Sequence, residues 1–445
     1  METKSKETSM PVVNFHAAGI DVGSKSHFVA VGQSEKDVRE FDVNTKGHKL
    51  AIEFLKEHQI TSVVMESTGS YWQSLFTVLQ QADFKVLLVS GNQAKNSRKK
   101  TDVQDCQWLQ KLHTMGLLTS CFLPGEQTLK LRNLSRHRSS LVESCAQYTN
   151  KIQKALRLMN IRLDVAIRDI VGKSGRAIIE SILAGQRDAN ILAQLTDARV
   201  KKSKEEIALL LQGQWDDQLL YELKDCYELL DIYNQKIENV DKQIEMLLNE
   251  QTKEITIAPD ITCVKKQQKG KHSCKANLSI LSYKTLGVDL MGINGIGPGT
   301  VLNFISEMGL DIHKFESAKH FTSWLRLAPN NKKTGGKIFS SRTGKTKNIL
   351  TKALKDAANA IGLSTKDDYL VHFFKKIAFK KGRGAAITAT ARKLATIIWN
   401  MITKQQSYQP IKSDEYLKQL RQRKIKFLKR TIAKNGITIN ELSMA

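Results

Sequence analysis

The sequence predicts an α/β domain followed by an all-α region, and three patterns carry that reading. Over residues 15–112 short apolar runs alternate with segments of helical apolar spacing, the mark of a sheet with covering helices. From Leu223 to Leu247 apolar residues recur in unbroken steps of three and four, an a/d seam of the coiled-coil type. Beyond residue 286 amphipathic segments dominate, and those at 348–361 and 385–401 are Ala-rich, suited to close helix packing.

In chain order, residues 1–14 are polar, lack the apolar stretch of a signal peptide and are expected to be disordered. Ala18-Gly19-Ile20-Asp21-Val22 is a strand ending in an acid, Gly23 makes a tight turn, and 27–31 return antiparallel. A third strand is expected at 38–43 and a helix at 47–58. Residues 62–65 form a strand closed by Glu66, 71–81 a helix and 84–89 a buried strand. Asp102 and Asp105 open a helix that runs to Leu112.

A helix rich in Arg and Lys covers 127–158, and further helices lead to Leu211 and the 223–247 seam. That seam packs within the chain, against 127–158, or between two protomers. Residues 251–285 lose periodicity and gather Lys265, Lys266, Lys269, Lys271 and Lys275, a basic insertion on which no structure is imposed. Gly295-Ile296-Gly297-Pro298-Gly299 then joins two helical patterns. It is either a helix-hairpin-helix-like turn offering backbone N–H groups to a phosphate, or an αα-turn whose glycines permit close packing. A helix at 320–327 places Trp324 in the core.

Residues 330–347 read as a long basic loop carrying Lys332, Lys333, Thr334, Lys337, Ser340, Ser341 and Arg342. The last stretch, 412–434, sets nine Lys or Arg on a helical pattern, either lying along nucleic acid or solvated. The expected divisions are therefore 1–14, 15–160, 161–250, 251–285, 286–408 and 409–445.

Composition narrows the function. A formal charge of +25 favours a polyanionic partner, with nucleic acid first. No stretch approaches the roughly 18–20 consecutive apolar residues of a membrane span. The six cysteines show no paired spacing and are expected as reduced thiols; Cys263, His272 and Cys274 fit no zinc finger and lack a fourth ligand.

The residues that carry chemistry are Asp21, Glu66, Asp102 and Asp105. Two end strands, and two, three apart, share one helix face. An acid aimed into a crevice is costly unless a cation or donor meets it. Four carboxylates suit a hard divalent cation such as Mg²⁺. The plainer reading makes Asp21 a turn opener and Asp102 an N-cap with Asp105 in the first turn. Lys95, Arg98, Lys99 and Lys100 precede the paired aspartates, where they can hold a phosphate backbone or stay solvated.

The order GIDVGS, VVMESTG, RKKTDVQD, together with MGINGIGP, FTSWLRLAPN, TGGK and AAITATARKLATIIW, resembles the DEDD transposases of the insertion-sequence 110 family over roughly 16–160 and 286–408. The resemblance implies an RNase H-like (RuvC-like) first domain, with Asp21, Glu66, Asp102 and Asp105 holding Mg²⁺, and a helical second domain with a hydroxyl nucleophile. It implies DNA partners, both element ends and target, a structured bridge RNA as guide, and a prokaryotic, cytoplasmic, nucleoid-associated setting. The family's commoner nucleophile is serine; Thr334 stands at that position, with Ser340 and Ser341 as alternatives. A recombinase needs more than one active site, so a homodimer or tetramer is expected, with the 223–247 seam as the dimer contact. A RuvC-like junction resolvase or nuclease using metal-activated water is the second enzyme reading. A non-catalytic nucleic-acid-binding protein with structural acids is the reading from another class.

Overall fold

Strand alternation organises the first part of the chain. In β1 (Ala17–Val22) it sends Ala18, Ile20 and Val22 to one face and Gly19 and Asp21 to the other. The computed structural model describes residues 11–94, 101–253, 273–410 and 413–435. The chain divides into two units, residues 1–123 and 124–445.

In the first unit β1 turns through Gly23 into β2 (Ser26–Ala30), and β3 (Val38–Asp42) extends this antiparallel ribbon. Helix α1 (Thr45–Glu57), capped by Asn44, leads to β4 (Ser62–Glu66), parallel to β1. Helix α2 (Trp72–Gln81) leads to β5 (Lys85–Val89), parallel to β4. The sheet order is β3-β2-β1-β4-β5. After the short α3 (Gly91–Ala94), α4 (Asp102–Thr114) crosses the sheet. Ala18, Ile20, Val63 and Met65 pack with Phe54 and Leu55 of α1 and Leu75 and Leu79 of α2, while Val64 and Val89 meet Leu109 of α4 on the other face.

The second unit begins with the long α5 (Glu126–Leu158). The short helices α6 (Leu163–Ala166), α7 (Lys173–Leu183), α8 (Ala189–Gln194) and α9 (Lys204–Leu211) lead to α10 (Asp217–Gln251). The two long helices run antiparallel: the Gln251 side chain donates to the Gln127 carbonyl, Arg138 pairs with Asp241, and Tyr148 stacks on Tyr233. Leu223, Leu230, Ile237 and Ile244 are thereby buried inside the chain, which corrects the expectation that this seam is a dimer contact. α5 supplies its own apolar stripe, Leu131, Leu141, Ile152 and Leu156, and a partner on the same chain acts at a high effective concentration.

Helix α11 (Leu278–Leu286) ends at left-handed Gly287; a 3₁₀ turn at Leu290–Gly292 precedes α12 (Pro298–Glu307), and a second at Gly309–Lys314 precedes α13 (Ala318–Trp324). Trp324 lies against Phe315 and Phe321 and is half-buried, at the margin of the core rather than inside it. The expected loop at 330–347 contains a two-stranded hairpin, β6 (Lys332–Thr334) and β7 (Lys337–Ser340). Gly335 and Gly336, both at positive φ, make the two-residue turn, a conformation that favours glycine. Helices α14 (Ile349–Leu363), α15 (Tyr369–Lys381) and α16 (Arg383–Lys404) complete the unit, with α17 (Ser413–Lys434) beyond them. Small residues on α16, Ala386, Ala391 and Ala395, allow the close packing expected there.

Glu307, only 4 % exposed, fastens α12 to α5: its carboxylate accepts from Arg136 Nε and Nη2 at 2.9 and 3.0 Å and is ion-paired with Arg132, whose Nη2 donates to the Glu307 backbone carbonyl at 2.6 Å. Among the described residues no helix is long and apolar enough to cross a membrane. Cys106, Cys121, Cys145, Cys226 and Cys274 are thiols. The basic run at 95–100, Cys263, His272 and Lys265 to Lys271 of the insertion lie outside the described residues, as do the first ten residues.

Candidate active site

Asp21 and Glu66 sit at the carboxyl ends of neighbouring parallel strands, Ile20 pairing with Met65 one residue earlier. By alternation both belong to the α4 face, Asp21 two residues after Gly19 and Glu66 two after Val64. A Cβ on Gly19 would lie 2.9 Å from the Gln110 Cα and closer still to the Gln110 nitrogen and the Cys106 carbonyl. Only a glycine lets the α4 backbone come so near β1, and that approach brings the start of α4, with Asp102 and Asp105, towards Asp21.

The N-cap of α4 is Thr101, whose side chain accepts from the Gln104 N–H at 3.3 Å. Asp102 therefore does not serve as the cap, and this part of the plainer reading falls away. Glu66 accepts a hydrogen bond from the Thr68 hydroxyl at 3.0 Å. It also rests against Gly91, where an added Cβ would be 2.5 Å from Oε1.

Asp21 feels the other three acids. Burial first, then the carboxylates of Asp102, Asp105 and Glu66, push the Asp21 carboxyl up from its ordinary 3.8 to about 6; a hydrogen bond from the Val22 backbone pulls the other way. The neighbouring Cys106 thiol is pushed up to about 12 by burial and then by Asp21. Among the described residues no three His, Cys, Asp or Glu are gathered tightly enough to enclose a metal ion. Asp21 and Glu66 thus share a sheet end, with Asp102 and Asp105 acting on Asp21 from α4, without forming a closed ligand cage.

The remaining candidates lie in the second unit. Thr334 ends β6 at the exposed tip, beside Gly335 and Gly336, where an added Cβ would meet nothing within 4 Å. Lys332, Lys333 and Lys337 are exposed on the same hairpin, as is Arg342 just after it. Ser340 is half-buried and its hydroxyl accepts from the Arg342 N–H at 3.4 Å, whereas Ser341 is exposed. The two readings of the 295–299 turn divide between residues. Gly295, at positive φ, is a packing glycine: a Cβ would lie 2.6 Å from Ile361 Cγ1 and 2.9 Å from the Ala357 carbonyl. Gly297, the N-cap of α12, and Gly299 face open space.

Sequence reasoning passed over Gly19, Gly91 and Thr68, whose roles depend on neighbours distant in the chain. A glycine inside a strand pattern is the one signal that marks Gly19 as a close approach.

Comparison with known proteins gives matches in both units. Residues 18–161 match the IS110 DEDD model, described as a transposase, and residues 289–369 match the transposase IS116/IS110/IS902 family. The transposase for insertion sequence element IS1111A of Coxiella burnetii (strain RSA 493 / Nine Mile phase I) is 28% identical over 122 residues, 27% of this chain. The chain spans 33% of the length of that curated relative.

Proposed function

The chain belongs to the IS110 family of transposases, and from that premise we propose that it cuts and rejoins DNA as the transposase of an insertion sequence. The first unit is RNase H-like in this reading, which its strand order and its parallel β1, β4 and β5 support. Asp21, Glu66, Asp102 and Asp105 hold divalent cations. The donor set fits: it is all carboxylate, the hard oxygen that suits Mg²⁺. The observation that carries the reading is the raised Asp21 carboxyl, crowded by three like charges that a cation would relieve.

When bound, Mg²⁺ supplies Lewis-acid polarisation of the scissile phosphate and stabilises charge on the leaving oxygen. The chain's own residues do the rest. Gly19 keeps α4 close enough for its two acids to act with Asp21, and Thr68 orients Glu66. The Thr334 hydroxyl, or Ser340 or Ser341 in its place, attacks the phosphorus. An Oγ–P bond forms, the P–O3′ bond breaks, the hydroxyl proton passes to water and the 3′ oxygen leaves as a hydroxyl after taking up a proton. The covalent link conserves the phosphodiester energy for rejoining. Open backbone at Gly297 and Gly299 supports a phosphate contact at the start of α12, a helix-hairpin-helix role.

A structured guide RNA pairing with target and donor DNA, and a homodimer or tetramer, complete the proposal; the +25 charge supports polyanionic partners. The test is DNA cleavage by the purified chain with its co-purifying nucleic acid. Cleavage that needs Mg²⁺ and is lost in a folded Asp21→Asn supports the proposal. Cleavage that survives Asp21→Asn overturns it.

A further inference from the structure

The β6–β7 hairpin holds two largely exposed apolar side chains: Ile338 is 57% and Phe339 78% exposed. Phe339 also falls where the strand pairing slips. Lys333 faces Ile338, and the next pair is Lys332 with Ser340, so Phe339 is the extra residue of a bulge. Bulges re-aim a side chain and recur beside active sites.

Along the chain, the charge flanking this ring has one sign. From Ser317 to Lys355 the chain contains no Asp or Glu, while Lys332, Lys333, Lys337, Arg342, Lys345 and Lys347 stand on or just after the hairpin. Among the described residues none of these cations has an ion-pair partner, and an exposed aromatic ring among them matches a nucleic-acid strand, with bases to stack and phosphates to neutralise the lysines. A neutral apolar partner would bury those cations without counter-charge. Phe339 is two residues along β7 from Lys337, the cross-strand partner of Thr334. That is roughly 7 Å, about two nucleotide steps of a stacked strand.

The geometry points to Phe339 as a strand-positioning residue, its ring stacking on an unpaired base of the DNA strand whose phosphate meets Thr334. This rests on the reading of the hairpin as the seat of the nucleophile. Stacking fixes the strand's register along the hairpin, so that one phosphate rather than its neighbour is presented to the hydroxyl.

The test is equilibrium binding of labelled oligothymidylate to the full-length chain carrying Thr334→Ala, followed by anisotropy over a range of salt. Phe339→Ala is expected to weaken binding about tenfold with an unchanged salt slope, because a stack is lost and no phosphate contact is. Phe339→Tyr restores the affinity. In Phe339→Trp the added indole fluorescence is quenched when DNA binds. Unchanged affinity in Phe339→Ala overturns the inference, as does a reduced salt slope, which would mean a purely electrostatic role. A loss seen with oligouridylate alone also overturns it, by assigning the ring to RNA. The Thr334→Ala background performs no transfer from that hydroxyl, so the measurement stands whether or not the covalent chemistry is right.

Discussion

Gly19 of β1 lies directly under Gln110 of α4, so close that a Cβ on the glycine would come within 2.9 Å of the Gln110 Cα. The spacing between strand and helix is thus set by a missing methyl group. Gly19→Ala must push α4 outward, and overpacking of this kind costs about 1–3 kcal/mol. Chemical denaturation should show that loss, and DNA cleavage should fall further than the remaining folded fraction explains, because Asp102 and Asp105 ride on the displaced helix. Full activity per folded molecule in Gly19→Ala would separate the helix position from the site.

The raised Asp21 carboxyl makes a prediction about pH. Its folded value is about 6 against an ordinary 3.8, so the folded state holds the proton more tightly than the unfolded chain. The sign follows: the stabilising contribution is complete below 3.8 and is lost as pH rises through about 6. In chelator near neutral pH, Asp21→Asn should therefore melt at a higher temperature than the parent, and the gap should close on acidification towards about pH 4, the unfolded value. His27 and His48, whose burial lowers their values, slope the opposite way and cancel in the difference. Mg²⁺ should raise the melting temperature of the parent and leave that of Asp21→Asn unmoved. Equal melting curves with and without Mg²⁺ in the parent would remove the cation from the account.

Glu307 carries two arginines of α5, and Arg132 is buried with it. Glu307→Gln leaves that guanidinium with its carboxylate partner gone, and breaking a buried pair from one side costs about 3–5 kcal/mol. A urea titration should move by that amount. A shift under about 1 kcal/mol, the size of a surface pair, would show that water reaches Arg132 freely.

The strands and their acids were legible because alternation and helical spacing are local properties. Asp21, Glu66, Asp102 and Asp105 were found that way, and β1 to β5 lie where the apolar runs placed them, within a residue or two. Partnership was not legible. The 223–247 seam has the period of a coiled coil whoever fills it, and only the fold shows α5 lying along it. The hairpin read as a loop because β6 is polar and the two apolar residues of β7, Ile338 and Phe339, are adjacent rather than alternating; Gly335-Gly336 was its one turn signal. Nor was it legible that Arg132, Arg136 and Arg138 of the basic helix α5 answer Glu307 and Asp241, acids far along the chain.

The covalent mechanism turns on a hydroxyl of the hairpin becoming bonded to DNA. Thr334 is exposed beside two glycines, is stiffer at χ1 than serine and carries one more methyl, so it should attack more slowly without being incompetent. The direct measurement is trapping of a protein–DNA adduct with DNA, Mg²⁺ and the co-purifying nucleic acid, followed by mass-spectrometric mapping of the modified peptide. The adduct is expected on Thr334, absent in Thr334→Ala and formed at least as readily in Thr334→Ser. An adduct that persists in Thr334→Ala and is lost in Ser340→Ala or Ser341→Ala would move the nucleophile along the chain, and cleavage with no adduct at all would contradict the covalent mechanism.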